Sequence, residues 1–271
     1  MKNFTKDHYI GTGAIVAREK TICGEYATHR HEFYEIEYIL SGSGEYEIND
    51  RVYEIQSGML FFMTPFHFHR VSTPECRVIN VMFSEELCDT DFLISLLHGK
   101  EAAPLDTNLD SPDFWRAILG EIAAADKNSP YTAYLLNTVL GKLAVGQAAA
   151  PRVGTPIKNA MLYLLHRFRE NPSLAETAAH VGYAPPYFSS LFKAEVGIGF
   201  QEYLDRLRFD YAKNLLKHSK ISVGRVCREC GFEDYPNFIR RFKKHFGVSP
   251  LQMAKAEGHR LQTQPKHEVG L

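Results

Sequence analysis

Hydrophobic positions recur along the 271-residue chain with two different periods. Over residues 9–83 they fall in short runs rich in β-branched and aromatic types. Tyr34-Glu35-Ile36-Glu37-Tyr38-Ile39-Leu40 is one, Gly44-Glu45-Tyr46-Glu47-Ile48 a second and Arg51-Val52-Tyr53-Glu54-Ile55 a third. Turn residues separate them: Ser41-Gly42-Ser43-Gly44, Asn49-Asp50 and Ser57-Gly58. Short strands with turn signals at this spacing predict an antiparallel barrel or sandwich. From residue 84 the period lengthens to that of a helix, with Leu135, Leu136, Val139, Leu140 and Leu143 on one stripe. Ser111-Pro112 and Ser129-Pro130 each put a capping residue before a proline suited to a first turn. Residues 146–156 are small and rich in Pro and Gly, the composition of a linker. Beyond it Thr155-Pro156 opens a helix carrying Ile157, Met161, Leu164, Leu165 and Phe168, which Asn171-Pro172 ends.

The helical end of the chain repeats itself. Val181-Gly182-Tyr183, Phe188, Phe192-Lys193 and Gly197 return as Cys230-Gly231-Phe232, Phe238, Phe242-Lys243 and Gly247. The spacing means a duplicated supersecondary unit. In each copy a short helix ends at a glycine that can turn left-handed, and a second helix follows. Leu174, Ala178 and Val181 form the inner stripe of the first short helix; Val223, Cys227 and Cys230 form that of the second. The later helices bury Phe188, Leu191 and Phe192 in one copy and Phe238, Phe242 and Phe246 in the other, with Asp234 as a cap. A short helix, a glycine turn and a second helix is the helix-turn-helix plan, whose second helix enters the major groove of DNA.

Charge sharpens this picture. Before Thr155 the chain has 13 Lys and Arg against 21 Asp and Glu, a formal −8; from Thr155 on it has 18 against 11, a formal +7. A basic, duplicated helix-turn-helix segment joined to an acidic segment predicts a nucleic-acid-binding domain coupled to a domain of another kind. The five cysteines are odd in number and irregular in spacing, so no disulfide framework is expected, and Cys227-x-x-Cys230 reads as helix packing rather than half a zinc site. No apolar run approaches the ~20 residues of a membrane span. Residues 1–10 lack the apolar core of a secretory signal, so the expected location is the cytoplasm, with no membrane partner.

The C-terminal segment resembles the AraC family of bacterial transcription regulators. The resemblance runs over residues 157–253 and is carried by Leu174-Ala175-Glu176, Val181-Gly182-Tyr183, Tyr187-Phe188-Ser189-Ser190-Leu191-Phe192-Lys193 and Leu215-Leu216. Its densest part is Asn237-Phe238-Ile239-Arg240-Arg241-Phe242-Lys243-Lys244-His245-Phe246-Gly247-Val248-Ser249-Pro250. The family joins its two units by a central helix. Here that helix is expected over residues 200–217, roughly 27 Å at 1.5 Å per residue, matched to successive major grooves about 34 Å apart. Opposite the buried phenylalanines lie Pro186, Ser189 and Ser190 on the first recognition helix and Pro236, Asn237 and Arg240 on the second. Arg240 is the expected base reader, because arginine grips guanine with two hydrogen bonds; a phosphate contact is its alternative. Lys193 and Lys243, with Arg241 and Lys244, are expected at phosphates or on solvated faces.

The N-terminal segment resembles a cupin barrel. His29-Arg30-His31, Glu35 and Gly42 follow the H-x-H-x(3)-E-x(6)-G spacing, and the run from Gly58 to Pro65-Phe66-His67-Phe68-His69 resembles a second motif. On one strand, residues 29, 31 and 35 share a face, and His69 or His67 is expected beside them. His29, His31, Glu35 and His69 are accordingly read as ligand-binding, as in sensor barrels of AraC regulators, with Phe33, Phe62, Phe66 and Phe68 near the pocket. A site for Zn, Mn, Fe or Ni and purely structural histidines are the alternatives; no metal, cofactor or catalytic residue is assigned.

The expectations are therefore an α+β chain with three parts. Residues 1–149 form a cupin-like antiparallel barrel with helices, which senses a ligand and dimerises. Residues 150–156 form a linker, and residues 157–271 an all-α domain with two helix-turn-helix units. The expected function is a ligand-responsive, sequence-specific DNA-binding regulator and not an enzyme. Its partners are double-stranded DNA, a sugar-like small-molecule effector, a second copy of the chain and RNA polymerase. The alternative is a metal-dependent cupin enzyme fused to a DNA-binding domain.

Overall fold

The computed structural model describes residues 2–10, 15–49, 51–98, 104–105, 111–145 and 153–263. Asp50 of the expected turn, residues 146–152 of the expected linker and residues 264–271 lie outside them. The chain divides into two compact units, Met1–Arg152 and Val153–Leu271. Val153 is buried and Gly154 caps a helix, so the described residues at the end of the expected linker pack with the second unit.

The first unit is built on three long strands, β2 (Ile15–His31), β3 (Tyr34–Ile48) and β6 (His69–Phe83). Together with β1 (Lys2–Phe4), β4 (Arg51–Glu54), β5 (Leu60–Met63) and β7 (Pro104–Leu105) they form one sheet in the order β1-β2-β6-β3-β5-β7, with β4 on β3. The sheet is antiparallel as expected except at β1, which runs parallel to β2. The pattern in residues 34–55 anticipated short strands broken at Ser41-Gly42-Ser43-Gly44. Instead β3 runs straight through this segment and bends there. Its pairing with β6 shifts register between Ile39 and Ser41 and between Ser43 and Glu45, the mark of β-bulges. Gly42 and Gly44 have φ of +120° and +139° and lie so close to β6 that a Cβ would stand 2.4 Å from Glu75 O and 2.3 Å from Ser72 O. The same glycine signal that reads as a turn serves here as a bend in a paired strand. β2 shifts register between Ile22 and Gly24, where Gly24 takes φ of +79° with nothing within 4 Å of a Cβ.

The bends give each long strand two halves. Residues 15–22, 34–41 and 76–83 pair with one another, as do 24–29, 45–48 and 69–73. Side chains alternate faces along a strand, so partnered residues form rows: Arg18, Asn80 and Glu37 in one set, Tyr26, Val71 and Tyr46 in the other. Apolar rows close into a core of Ile39, Tyr46, Ile48, Phe61, Val71 and Val78. α2 (Thr90–His98) packs on α4 (Pro130–Val145), and α3 (Pro112–Ala124), capped by Ser111, packs on β2 and β6. α1 (Lys6–Tyr9) follows β1; Phe4 and Tyr9 pack on Ile10, Phe33 and Met82.

The second unit is helical: α5 (Thr155–Arg167), α6 (Leu174–His180), α7 (Pro185–Val196), α8 (Phe200–His218), α9 (Val223–Glu229), α10 (Tyr235–Phe246) and α11 (Pro250–Thr263). Ser173 and Glu176 form a reciprocal capping box on α6, and Ser222 caps α9. Gly182 and Gly231 take φ of +76° and +74° in the two turns. Phe188, Phe192 and Phe200 pack in one unit; Phe209, Phe232, Phe238 and Phe242 pack in the other. Thr177 joins Ala178 in the first inner stripe, and Phe246 is only half-buried.

Candidate functional sites

A cavity of about 290 Å³ lies in the first unit, lined by His29, His31, Glu35, Glu37, Tyr46, His69, Asn80, Arg18 and Lys20 among others. His29 and His31 belong to β2 and Glu35 to β3, so the expected single strand face is corrected: the hairpin turn at residues 32–33 intervenes, and the side chains meet across the bent sheet. His69, not His67, completes the cluster. His67 sits between β5 and β6, where its Nδ1 accepts from Thr64 N at 3.1 Å and burial drives its pKa down to about 4. Of the four expected aromatics only Phe33 lines the cavity; Phe62 and Phe68 are core, and Phe66 is half-buried.

A hydrogen-bond network fixes the polar lining. Asn80 Nδ2 donates to Glu35 Oε1 at 2.6 Å and to Glu37 Oε1 at 3.0 Å. Lys20 Nζ lies 2.7 Å from Glu37 Oε1, and the Tyr46 hydroxyl donates to Glu37 Oε2 at 2.6 Å. Burial and the neighbouring Glu37 and Glu35 hold the Tyr46 pKa well above its ordinary value, so this proton stays. With its only hydrogen committed to a carboxylate, the Tyr46 oxygen receives Nδ1–H of His69 at 3.0 Å. His31 Nδ1 in turn donates to Phe33 O at 2.6 Å. Both rings therefore turn Nε2 inward, and in His69 that atom carries a lone pair.

The inward atoms His31 Nε2, His69 Nε2 and Glu35 Oε2 lie within 4.8 Å of one another, with His31 Nε2 3.1 Å from Glu35 Oε2, and His69 Nε2 has no hydrogen-bond partner among the described residues. Burial lowers the pKa of His69 and of His29 and keeps both neutral. Burial opposes ionisation of Glu35, but contact with His31 and the charge of Lys20 outweigh it and hold its carboxyl well below the usual range. The lone pair of neutral His69 faces the Glu35 carboxylate, and a cation shared between them would relieve their repulsion. Two imidazole nitrogens and a carboxylate, with second hydrogen bonds fixing each ring, form a donor set suited to Zn, Mn, Fe or Ni. The residues present thus fit a divalent ion, though sequence reasoning assigned none. Glu37, Tyr46, Asn80, Lys20 and Arg18 also escaped that reasoning, since they join the site only through strand pairing.

In the second unit the two later helices of the repeat present matching outer faces. On α7, Pro186, Ser190 and Lys193 are exposed and Ser189 is half-buried. Ser190 Oγ donates to Pro186 O at 3.2 Å. On α10, Pro236, Arg240 and Lys243 are exposed and Asn237 is half-buried. Arg240 Nη2 donates to Asn237 Oδ1 at 2.8 Å, which holds the guanidinium over the outer face. Tyr187, 58% exposed, and Tyr235, 46% exposed, extend these faces. Tyr187 occupies the repeat position of Asn237, a signal the sequence contained. Arg241 departs from its expected place at a phosphate or on a solvated face. It pairs with Asp205 of α8 and lies over the Phe232 ring, 5.9 Å from its centre. The charge that replaces Leu191 of the first copy thus anchors α10.

Comparisons with known proteins agree with this architecture. Residues 163–256 match the family described as helix-turn-helix domain, and residues 22–109 that described as AraC-like ligand binding domain. The HTH-type transcriptional regulator YfiF of Bacillus subtilis is 26% identical over 82% of this chain and 76% of its own length. The HTH-type transcriptional activator RhaS of Escherichia fergusonii is 26% identical over 88% of this chain and 91% of its own. Among solved structures, the C-terminal domain of AraT, a response regulator from Geobacillus stearothermophilus, is 26% identical. It covers 44% of this chain and 94% of that one, with a TM-score of 0.37. A ligand-binding β-domain followed by a double helix-turn-helix domain defines a ligand-responsive DNA-binding transcription regulator. The chain is thus similar along both of its units to AraC-type regulators.

Proposed function

We propose that this regulator reads its operator with the outer faces of α7 and α10 and senses a small, sugar-like effector in the cavity of the first unit. The observation that carries the DNA reading is the pair of matching outer faces on a duplicated unit, one ending in a guanidinium positioned by Asn237. Pro186, Ser189, Ser190, Pro236, Asn237 and Arg240 face the bases, and Lys193 and Lys243 the phosphates. The effector reading is supported by a cavity at the small end of the ligand range, rich in groups that hydrogen-bond hydroxyls. His29, His31, Glu35 and His69 bind the effector. As the family resemblance implies, the protein acts as a cytoplasmic homodimer that engages RNA polymerase.

The experiment starts from an operator selected in vitro with the full chain. Arg240→Ala should lose ~1–3 kcal/mol on that operator and relax preference at one base position. Lys243→Ala should weaken binding to all sequences about equally and flatten the salt dependence. Indistinguishable, uniform losses in the two variants would remove Arg240 from the readers.

A second reading, in which the cavity holds a divalent ion, is favoured by the convergence of His31 Nε2, His69 Nε2 and Glu35 Oε2 within 4.8 Å of one another. On this reading, chain purified from medium containing Zn, Mn, Fe and Ni should carry about one ion, and Glu35→Gln should lose it. Elemental analysis with no ion in the parent chain, and no rise in melting temperature on adding any of the four, would reject it.

A further inference from the structure

We infer that the effector is a hydroxylated monocarboxylate and that Arg18 receives its carboxylate. The inference deepens the effector reading above and rests on it.

The lining of the cavity carries two acids and two lysine or arginine side chains, and their pairing is unequal. Glu37 is satisfied three times over, by Lys20, Tyr46 and Asn80. Glu35 is held by Asn80 and lies 3.1 Å from His31. Lys20 is spent on Glu37. Arg18 has no ion pair or side-chain hydrogen bond among the described residues, although it lines the cavity. Its strand neighbour Glu19 turns to the opposite face and pairs with Arg77, and Glu25, further along β2, pairs with Arg70. Neither acid neutralises it.

Its place in the sheet makes Arg18 a rim residue with inward reach. It stands directly opposite Asn80, whose other neighbour in the row is Glu37, so its side chain leaves the sheet on the cavity face. Among the described residues the half of β2 that carries it pairs only with β6, and β1 covers β2 at His29 to His31 instead. Arg18 is exposed, whereas Asn80 and Glu37 are buried. The row thus runs from an exposed edge bearing a positive charge to a floor in which Lys20 matches Glu37 and the Glu35 carboxylate stands beside Asn80 and the histidines.

Ligand chemistry follows from that gradient. The floor offers Asn80 Oδ1, His69 Nε2 and Glu35 Oε2, acceptors for the hydrogens of hydroxyl groups. The rim offers one guanidinium, whose planar fork matches a carboxylate with two parallel hydrogen bonds. One guanidinium without an ion pair among the described residues can pair with one carboxylate, and the Glu35 carboxylate beneath it disfavours a second negative charge. A phosphate monoester, close to −2 at neutral pH, would keep an unbalanced charge at the rim.

The test uses the full chain and calorimetric titration at pH 7.5. The probes are D-gluconate and D-galacturonate, their neutral parents D-glucose and D-galactose, and D-glucose 6-phosphate. The carboxylates should bind at least about tenfold tighter than the parents, a difference that shrinks as salt rises. Arg18→Gln, checked for folding by its unliganded melting curve, should erase that difference. Equal or tighter binding of the neutral sugars, tightest binding of the phosphate, or an unchanged carboxylate preference in Arg18→Gln would overturn the assignment. Binding of none of the five would instead overturn the reading of the cavity as a sugar-like effector site, and the inference with it.

Discussion

Gly42→Ala should destabilise the first unit by about 3 kcal/mol or more, through backbone strain and overpacking together. At φ of +120° an alanine is strained wherever it sits, and here its Cβ would also stand 2.4 Å from Glu75 O and 2.6 Å from Cys76 Cα. Both obstacles are backbone of the paired strand β6, so relief requires the two strands to part at the bend. Trp115, the only tryptophan of the chain, is buried in α3 of this unit and reports its unfolding directly. Gly58→Ala is the control. Its φ is +90° but nothing lies within 4 Å of a Cβ there, so only the conformational cost of about 1 kcal/mol applies. Denaturant titrations followed by Trp115 fluorescence should separate the variants by about 2 kcal/mol. Equal losses would mean that β3 and β6 do not approach at Gly42 as described.

Arg208→Ala should cost the second unit about 3 kcal/mol. Arg208 of α8 is 3% exposed and donates to Phe168 O at 2.9 Å and to Asn171 Oδ1 at 2.7 Å, with its guanidinium 5.2 Å from the centre of the Phe232 ring. It therefore ties the loop after α5, in the first helix-turn-helix unit, to the turn of the second. In the same place Arg169 pairs with Glu229 at 2.7 Å, and Gly231 passes so close that a Cβ would stand 2.6 Å from Arg169 O. Truncation takes this donor from the carbonyl of buried Phe168, at ~1–3 kcal/mol, and also removes the bond to the exposed Asn171 side chain and the packing of the guanidinium on the Phe232 ring. Arg208→Lys keeps a charge but not the two-pronged geometry, and should lose roughly half as much. Denaturation of the isolated segment 153–271, followed by far-ultraviolet circular dichroism, measures both. A loss below about 1 kcal/mol in Arg208→Ala would show that these hydrogen bonds do not hold the two units together.

How much the sequence determined differs between the two ends of the chain. In the second unit the helices, their caps and their turns follow from interactions three or four residues apart, which a linear pattern records. Ser173 with Glu176, Asp234 with Asn237, and Gly182 with Gly231 all occupy positions a reader can name in advance, and the repeat lets each copy check the other. Only tertiary contact showed that Arg241 is spent on Asp205, a residue 36 positions earlier on α8. In the first unit the sequence determined strand character and singled out His29, His31, Glu35 and His69. It did not determine how they meet. Gly42 and Gly44 permit either a turn or a bend, and the choice lies with β6, some thirty residues on, which leaves room for no Cβ there. That bend folds each long strand back and brings the row of Arg18, Asn80 and Glu37 into one cavity with Tyr46 and His69. Register sets which residues face each other across a sheet, and register depends on pairings between distant segments that no local pattern encodes.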